Sequence, residues 1–255
     1  MKIVNFSKKN DTDDTFNIIF EFLKNIKLNE DGKLIDFNSL DIESFILEKN
    51  FNELNETLYN FIFEIFRKNS KAFFINEENS INYSLTRIFF DFVQNSGNKP
   101  CLVIFNSHAE CKNSFNHTWL KKLIEDGFPK RNILLVGVRN LDFEELEFLK
   151  KNNIKFIRMN SFIDNMEDIC DSIMEFTSGK IVYVSINLNS IDPAYAPGTF
   201  FPEVGGFSSR EFIYLIQRIN KMKNLFALDL VGINSKKDIN KITLQLCAKI
   251  LAESI

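Results

Sequence analysis

The chain has only two histidines, His108 and His117, and both fall in one stretch, "VIFNSHAECKNSFNHTWL". Imidazole readily ligates a transition metal or moves a proton near neutral pH, so chemistry is sought here first. Asn106, His108 and Glu110 alternate at the end of an apolar run. At a strand end that alternation puts an amide, an imidazole and a carboxylate on one side of the chain, where they can converge on one point. A second run ends the same way, with Ser185, Asn187 and Asn189 alternating in "SINLN". The spacing is metal-like, but a single His with one carboxylate is more often a hydrogen-bonded pair at a rim. Cys111, next to Glu110, is the one further nucleophile in the stretch, and a neighbouring carboxylate raises a thiol's pKa and leaves it inert.

Composition bounds what these residues can serve. The chain of 255 residues is 45% hydrophobic, enough for one large core, and it reads as a single domain. A net charge of -3 and a pI near 5.6 give no basic footprint, which argues against nucleic acid and anionic membrane as partners. No apolar run reaches the length of a bilayer span. The opening "MKIVNFSKKNDTDD" turns to charge instead of an apolar leader, so a cytoplasmic location is expected. Cys101, Cys111, Cys170 and Cys247 form no CxxC pair, which indicates buried thiols instead of a disulfide framework or a zinc site. Abundant Phe, Asn, Ile and Lys suggest an AT-rich coding bias, which can supply Asn without any chemical demand for it.

The elements that must position these residues follow from apolar runs alternating with helical periods. "KIVNF" at 2, "KAFFIN" at 71, "CLVIFN" at 101, "NILLVGV" at 132, "KFIRM" at 155, "KIVYVSINLN" at 180 and "NLFALDLVGIN" at 224 read as strands, each followed by a helix candidate. "EELEFLKK", "MEDICDSIMEF" and "REFIYLIQRI" carry apolar residues every three or four positions. Strands apolar on both faces and alternating with helices predict an α/β fold, a mostly parallel sheet between two helical layers. Residues 38–68 read as a helical insertion after the first strand. Ligands of such sheets sit at the carboxyl ends of the strands. Asn76, Asn106, Asn140, Asn160, Asn187 and Asn234 lie at or just beyond those ends, so the crevice should be polar and nearly uncharged. After Asn189 comes a loop rich in Gly and Pro, closed by "SSRE" at 208–211, a capping box that starts a helix.

The loop also carries a resemblance. The run S-x-N-x-N-x-x-D-P-x-x-A-P-G-T from Ser185, continuing to P-E-V-G-G-F-S-S-R-E, resembles the signature of the ureohydrolase family of arginase, agmatinase and formimidoylglutamase. That signature has Asp where this chain has Asn187 and Asn189. "FNSHAE" is similar to the family's Asp-Ala-His-x-Asp, "INEENSINYS" to its Gly-Gly-Asp-His-Ser-Ile-x-Tyr, "VGVRNLD" to its Gly-x-Arg-Asp-x-Asp and "LDLVGIN" to its Asp-Leu-Val-Glu-x-Asn. The motifs occur in the family's order, from about residue 70 to the end.

The resemblance implies an eight-stranded parallel sheet and, in working members, two manganese ions held by two His and four Asp. At the matching positions stand Asn79, Asn106, His108, Glu110, Asn187 and Asn189. The position of the Glu that grips the substrate is Gly232, Asn140 replaces an Asp, and His117 lies near the place of a proton-shuttling His. Two dications about 3.5 Å apart repel by roughly 20 kcal/mol at an effective dielectric near 20, which only anionic ligands offset. Four amides and one carboxylate do not supply them. The expectation is a pseudoenzyme with a degenerate metal site and no cofactor, or at most one weakly held divalent ion such as manganese at His108 and Glu110. Candidate catalytic groups reduce to Glu110 and His117. The protein would serve as a binding module or as a subunit of a homo-oligomer, or of a hetero-oligomer with an active relative. The alternatives are a hydrolase of linear amidines with an atypical site, which needs Glu77, Glu78 or Glu203 to turn inward, and a sensor of a small polar ligand.

Overall fold

The computed structural model describes residues 1–8, 15–47, 55–68, 71–77, 81–111, 118–162 and 165–255. Its strands are β1 (Lys2–Lys8), β2 (Asp41–Leu47), β3 (Ala72–Asn76), β4 (Pro100–Phe105), β5 (Ile133–Val138), β6 (Lys155–Arg158), β7 (Ile181–Asn187) and β8 (Leu225–Val231). All lie in one sheet of order β2-β1-β3-β8-β7-β4-β5-β6, and every pairing is parallel. The helices are α1 (Thr15–Asn25), α2 (Glu56–Lys68), α3 (Asn82–Asn95), α4 (Trp119–Glu125), α5 (Phe143–Lys151), α6 (Met166–Thr177), α7 (Ser209–Asn220) and α8 (Ile242–Ser254).

Parallel strands are covered on both faces, so successive residues of one strand enter different cores. Val103 and Phe105 of β4 pack with α1, α6, α7 and α8, whereas Leu102 and Ile104 pack with α2, α3, α4 and α5. The second core is rich in rings. Phe66 of α2 meets Phe74, Phe89, Phe92 and Phe226 at centroid separations between 5.5 and 6.2 Å, the range in which aromatic pairs attract beyond their simple burial.

The seven expected strands and the three expected helices form where the sequence places them. The helical insertion at 38–68 is corrected: Asp41–Leu47 is a strand, β2, pairing with β1 at the sheet edge, and the helix starts only at Glu56. The misreading has a physical cause. Ile42, Phe45 and Ile46 stand at helical spacing, but Ile42 packs into one core, Phe45 packs at a tilt against Phe61 of α2 in the other, and Ile46 is exposed. Among the described residues no helix is long and apolar enough to cross a membrane.

Candidate functional site

Strands β4 and β7 are neighbours, yet the chain leaving β4 enters α4 on one face of the sheet and the chain leaving β7 enters α7 on the other. Diverging connections open a crevice beyond the carboxyl ends of the two strands. Phe105 pairs with Ile186, so Asn106 and Asn187 stand side by side at its floor. The β5 connection docks on the same place, because Ser107 O accepts from both Arg139 N and Asn140 N.

The amides of this floor have defined orientations. Asn106 Oδ1 accepts from His108 N at 3.0 Å, Asn187 Oδ1 from Asn189 N at 3.0 Å and Asn189 Oδ1 from Ser107 N at 3.1 Å. A backbone N–H only donates, so in each case the carbonyl oxygen must face it and the NH2 group must point the other way. A carboxylate in the same place would make the same bond and keep its second oxygen for a cation. The amide instead presents two hydrogens. Asn106 Nδ2 donates to Oε1 of Glu110 at 2.9 Å, and Glu110 is fully buried.

The expected one-sided alternation of Asn106, His108 and Glu110 does not occur. Strand β4 ends at Phe105, and Glu110 has a left-handed backbone with φ of 57°. Asn106 and Glu110 still meet, but His108 turns toward the β5 connection, its Nδ1 lying 3.1 Å from Asn140 O. A carbonyl only accepts, so Nδ1 carries the hydrogen and Nε2 holds the lone pair in the neutral ring. Nε2 faces Oε2 of Glu203 at 3.7 Å, and Asn140 Nδ2 donates to the same oxygen at 2.8 Å. Of the three unassigned glutamates, Glu203 therefore does turn inward.

Arg139 brings Glu203 there. Its guanidinium directs Nε to Val204 O, Nη1 to Gly137 O and Ser190 O, and Nη2 to Asn189 O and Glu203 O. Burial pushes its pKa down, and Glu203 and Asp192 oppose that. Asp192 accepts from Ala194 N, Gly205 N and Gly206 N, and despite the cost of burial those bonds hold its pKa below the usual carboxylate range. A Cβ on Gly206 would lie 2.6 Å from Ser190 O and 2.7 Å from Arg139 Nη2, so only glycine allows this approach. The capping box forms as expected: Ser208 Oγ accepts from Glu211 N and the Glu211 carboxylate from Ser208 N. Gly232 follows β8 with a left-handed φ of 83°.

Beneath the floor lies a polar pit that sequence reasoning missed. Asp229 of β8 is fully buried, and its Oδ1 accepts from Ser185 Oγ at 2.8 Å and from Ile186 N at 3.3 Å. Asn82 Nδ2 in turn donates to Ser185 Oγ at 3.0 Å. Oδ2 of Asp229 has no hydrogen-bond partner among the described residues, and the Tyr183 hydroxyl faces this carboxyl without a well-formed bond. Burial raises the Asp229 pKa to about 7, against the opposing hydrogen bonds from Ser185 and Ile186 and the nearby Tyr183 hydroxyl. An acidic residue inside the apolar run "LFALDLV" was the available signal.

The other candidates divide. Asn79, His117 and Glu78 lie outside the described residues. Asn234 accepts from Lys237 N in a cap, and Asn160 is exposed beyond the edge strand β6. Cys111 is buried, and burial first, then Glu145 and other carboxylates, push its thiol to about 12, which leaves it protonated and inert. Among the described residues no three His, Cys, Asp or Glu side chains form a group that could hold a metal ion.

The same architecture occurs in solved hydrolases. The proclavaminate amidino hydrolase of Streptomyces clavuligerus superposes with a TM-score of 0.83 at 19% identity over 99% of this chain and 89% of that one. The agmatine ureohydrolase of Thermoplasma volcanium gives 0.81 at 20% identity over 99% and 87%, and the arginase of Entamoeba histolytica 0.79 at 17% over 99% and 98%. By sequence, the chain is 29% identical to an arginase of Staphylococcus aureus over 129 residues, 49% of this chain, and 33% identical to arginase, non-hepatic 3, of Xenopus laevis over 124 residues, 46% of it. These matches span 42% and 32% of the two relatives' own lengths. The model of the arginase family matches residues 14–255, and with that range covering every strand from β2 to β8 and the whole crevice, the chain belongs to the arginase family.

Proposed function

We propose that this chain is a catalytically inactive member of the arginase family, serving as a binding module or as a subunit of an oligomer. One observation carries the reading: the carbonyl oxygens of Asn106, Asn187 and Asn189 are already committed to backbone N–H groups. What these side chains offer beyond that is NH2, which repels a cation. The residues do not fit a pair of manganese ions. The carboxylate left at the floor, Glu110, is held by Asn106. Gly232 supplies no side chain to grip a guanidinium. Without a metal, water keeps a pKa near 15.7 and is a poor nucleophile at neutral pH. The exposed apolar side chains Tyr195, Phe201 and Val204 near the crevice, with Phe143 beyond it, offer surface for a subunit contact.

A second reading rests on Glu203. Its approach to His108 puts one imidazole and one carboxylate within reach of a single ion, as an atypical metal-dependent hydrolase of amidines would need. Calorimetric titration of chelator-treated protein with manganese separates the two, with His108→Ala run alongside. The proposal expects no saturable binding up to millimolar metal and no urea release from arginine or agmatine. Binding tighter than about 10 μM that disappears in His108→Ala, about 7 kcal/mol of affinity, would overturn it in favour of the hydrolase.

A further inference from the structure

The crevice is donor-lined where a metal site would be acceptor-lined. Asn187 and Asn189 are 4% and 2% exposed, their oxygens are bonded, and neither Nδ2 has a partner among the described residues. Neither nitrogen is among the fully enclosed unpaired polar atoms, so both remain open to the crevice. Two unpaired donors fixed in direction by backbone bonds ask for an oxygen acceptor. Ser107 joins the next piece to them: its N donates to Asn189 Oδ1, its O accepts from Asn140 N, and Asn140 Nδ2 donates to the Glu203 carboxylate at 2.8 Å, which ties that carboxylate to the same floor.

Charge narrows the ligand. Glu110 and Glu203 both border the site, so a carboxylate or phosphate meets like charge. An amidinium or guanidinium satisfies the carboxylates but has no acceptor, and leaves both Asn donors facing N–H groups. Each such unmatched donor weakens binding by about tenfold or more. A neutral amide has both halves, an oxygen that accepts twice and N–H groups that donate.

On these grounds, and resting on the metal-free reading above, we propose that the crevice binds a neutral carboxamide group. Its carbonyl oxygen accepts from Asn187 and Asn189, and its N–H donates to Glu203.

Three probes of one shape test this: acetamide, acetamidinium and acetate, titrated into isotope-labelled protein while the side-chain NH2 resonances of Asn187 and Asn189 are followed by NMR. Asn187→Asp and Asn189→Asp identify the two resonances by their disappearance. Acetamide should shift both, with a Kd at least about tenfold below those of the other two probes. The double variant N187D/N189D should reverse the order and favour acetamidinium. Acetamidinium binding the unaltered protein as well as acetamide does, or no probe shifting either resonance, would overturn the amide site. The ranking in unaltered protein decides the matter even if the double variant does not fold. Manganese in the same tube separates this from the broader reading. Chelator-reversible broadening of both resonances overturns the metal-free reading and the amide site together, whereas failure of acetamide without such broadening overturns the amide site alone.

Discussion

Around the loop from Ser190 to Ser208, Arg139 directs its five N–H donors to five backbone carbonyls, and Asp192 gathers three backbone N–H groups. At the strand ends beneath it, Asn187 and Asn189 each leave an NH2 without a partner among the described residues. Buried polar groups are normally paired because an unpaired one loses its bonds to water for nothing. The loop therefore reads as a part whose function is its shape. The floor reads as a part left open to something that is not the protein. The contrast also shows how an arginase-family chain keeps the outline of its crevice with neutral residues at these strand ends: the bonds that define the outline go to backbone N–H groups, and an amide oxygen can accept them.

Arg139→Ala attacks the loop where it is most complete. It leaves the carbonyls of Asn189, Glu203 and Val204 without their arginine donor, while Ser190 O keeps its bond from Phe207 N, and should cost about 4 kcal/mol in urea denaturation. A loss under about 1 kcal/mol would mean that the loop does not depend on this residue. Asp229→Asn probes the pit under the floor through pH. The folded-state pKa of Asp229, about 7, lies above its ordinary value of 3.8, so the folded chain binds the proton more tightly than the unfolded one. The residue's contribution to stability is then most favourable below about pH 4 and is lost as pH rises through 7. The variant should match the unaltered chain at pH 4, exceed it by about 4 kcal/mol at pH 8, and show a flatter stability profile between. An unchanged slope would remove Asp229 as its source. The smallest effect belongs to Ser208→Ala, which removes one side-chain acceptor from the start of α7 and should cost about 1 kcal/mol. A larger loss would make the cap, and not Arg139, the main anchor of the loop.

Much of this was legible in the sequence because parallel strands buried on both faces are continuous apolar runs. Strand β2 was not: as an edge strand it has the exposed Ile46, and its apolar residues fall by chance at helical spacing. At the site, Asn106, His108, Asn187 and Asn189 could be named from motif and spacing, but their directions could not. Alternation predicts where a side chain points only while the strand lasts, and β4 stops at Phe105. Glu203 could be named only as one of three glutamates that an atypical site would need to turn inward, because the arginine that folds it toward His108 stands sixty-odd residues earlier. Asp229 was in plain view within an apolar run, and what its strand hid was that Ser185, two strand positions before Asn187, is its partner.

Gly232 bears on any attempt to build a guanidinium clamp into this chain. Its backbone, at φ of 83°, occupies a region that L side chains rarely adopt. Writing Glu at this position would therefore have to reshape the segment after β8 before the new carboxylate could point anywhere useful. Returning Asp to positions 187 and 189 calls only for an exchange of atoms, whereas position 232 calls for a different path of the main chain. A designer would have to solve that path first, and a lineage that had taken this turn would face the same order of steps on the way back.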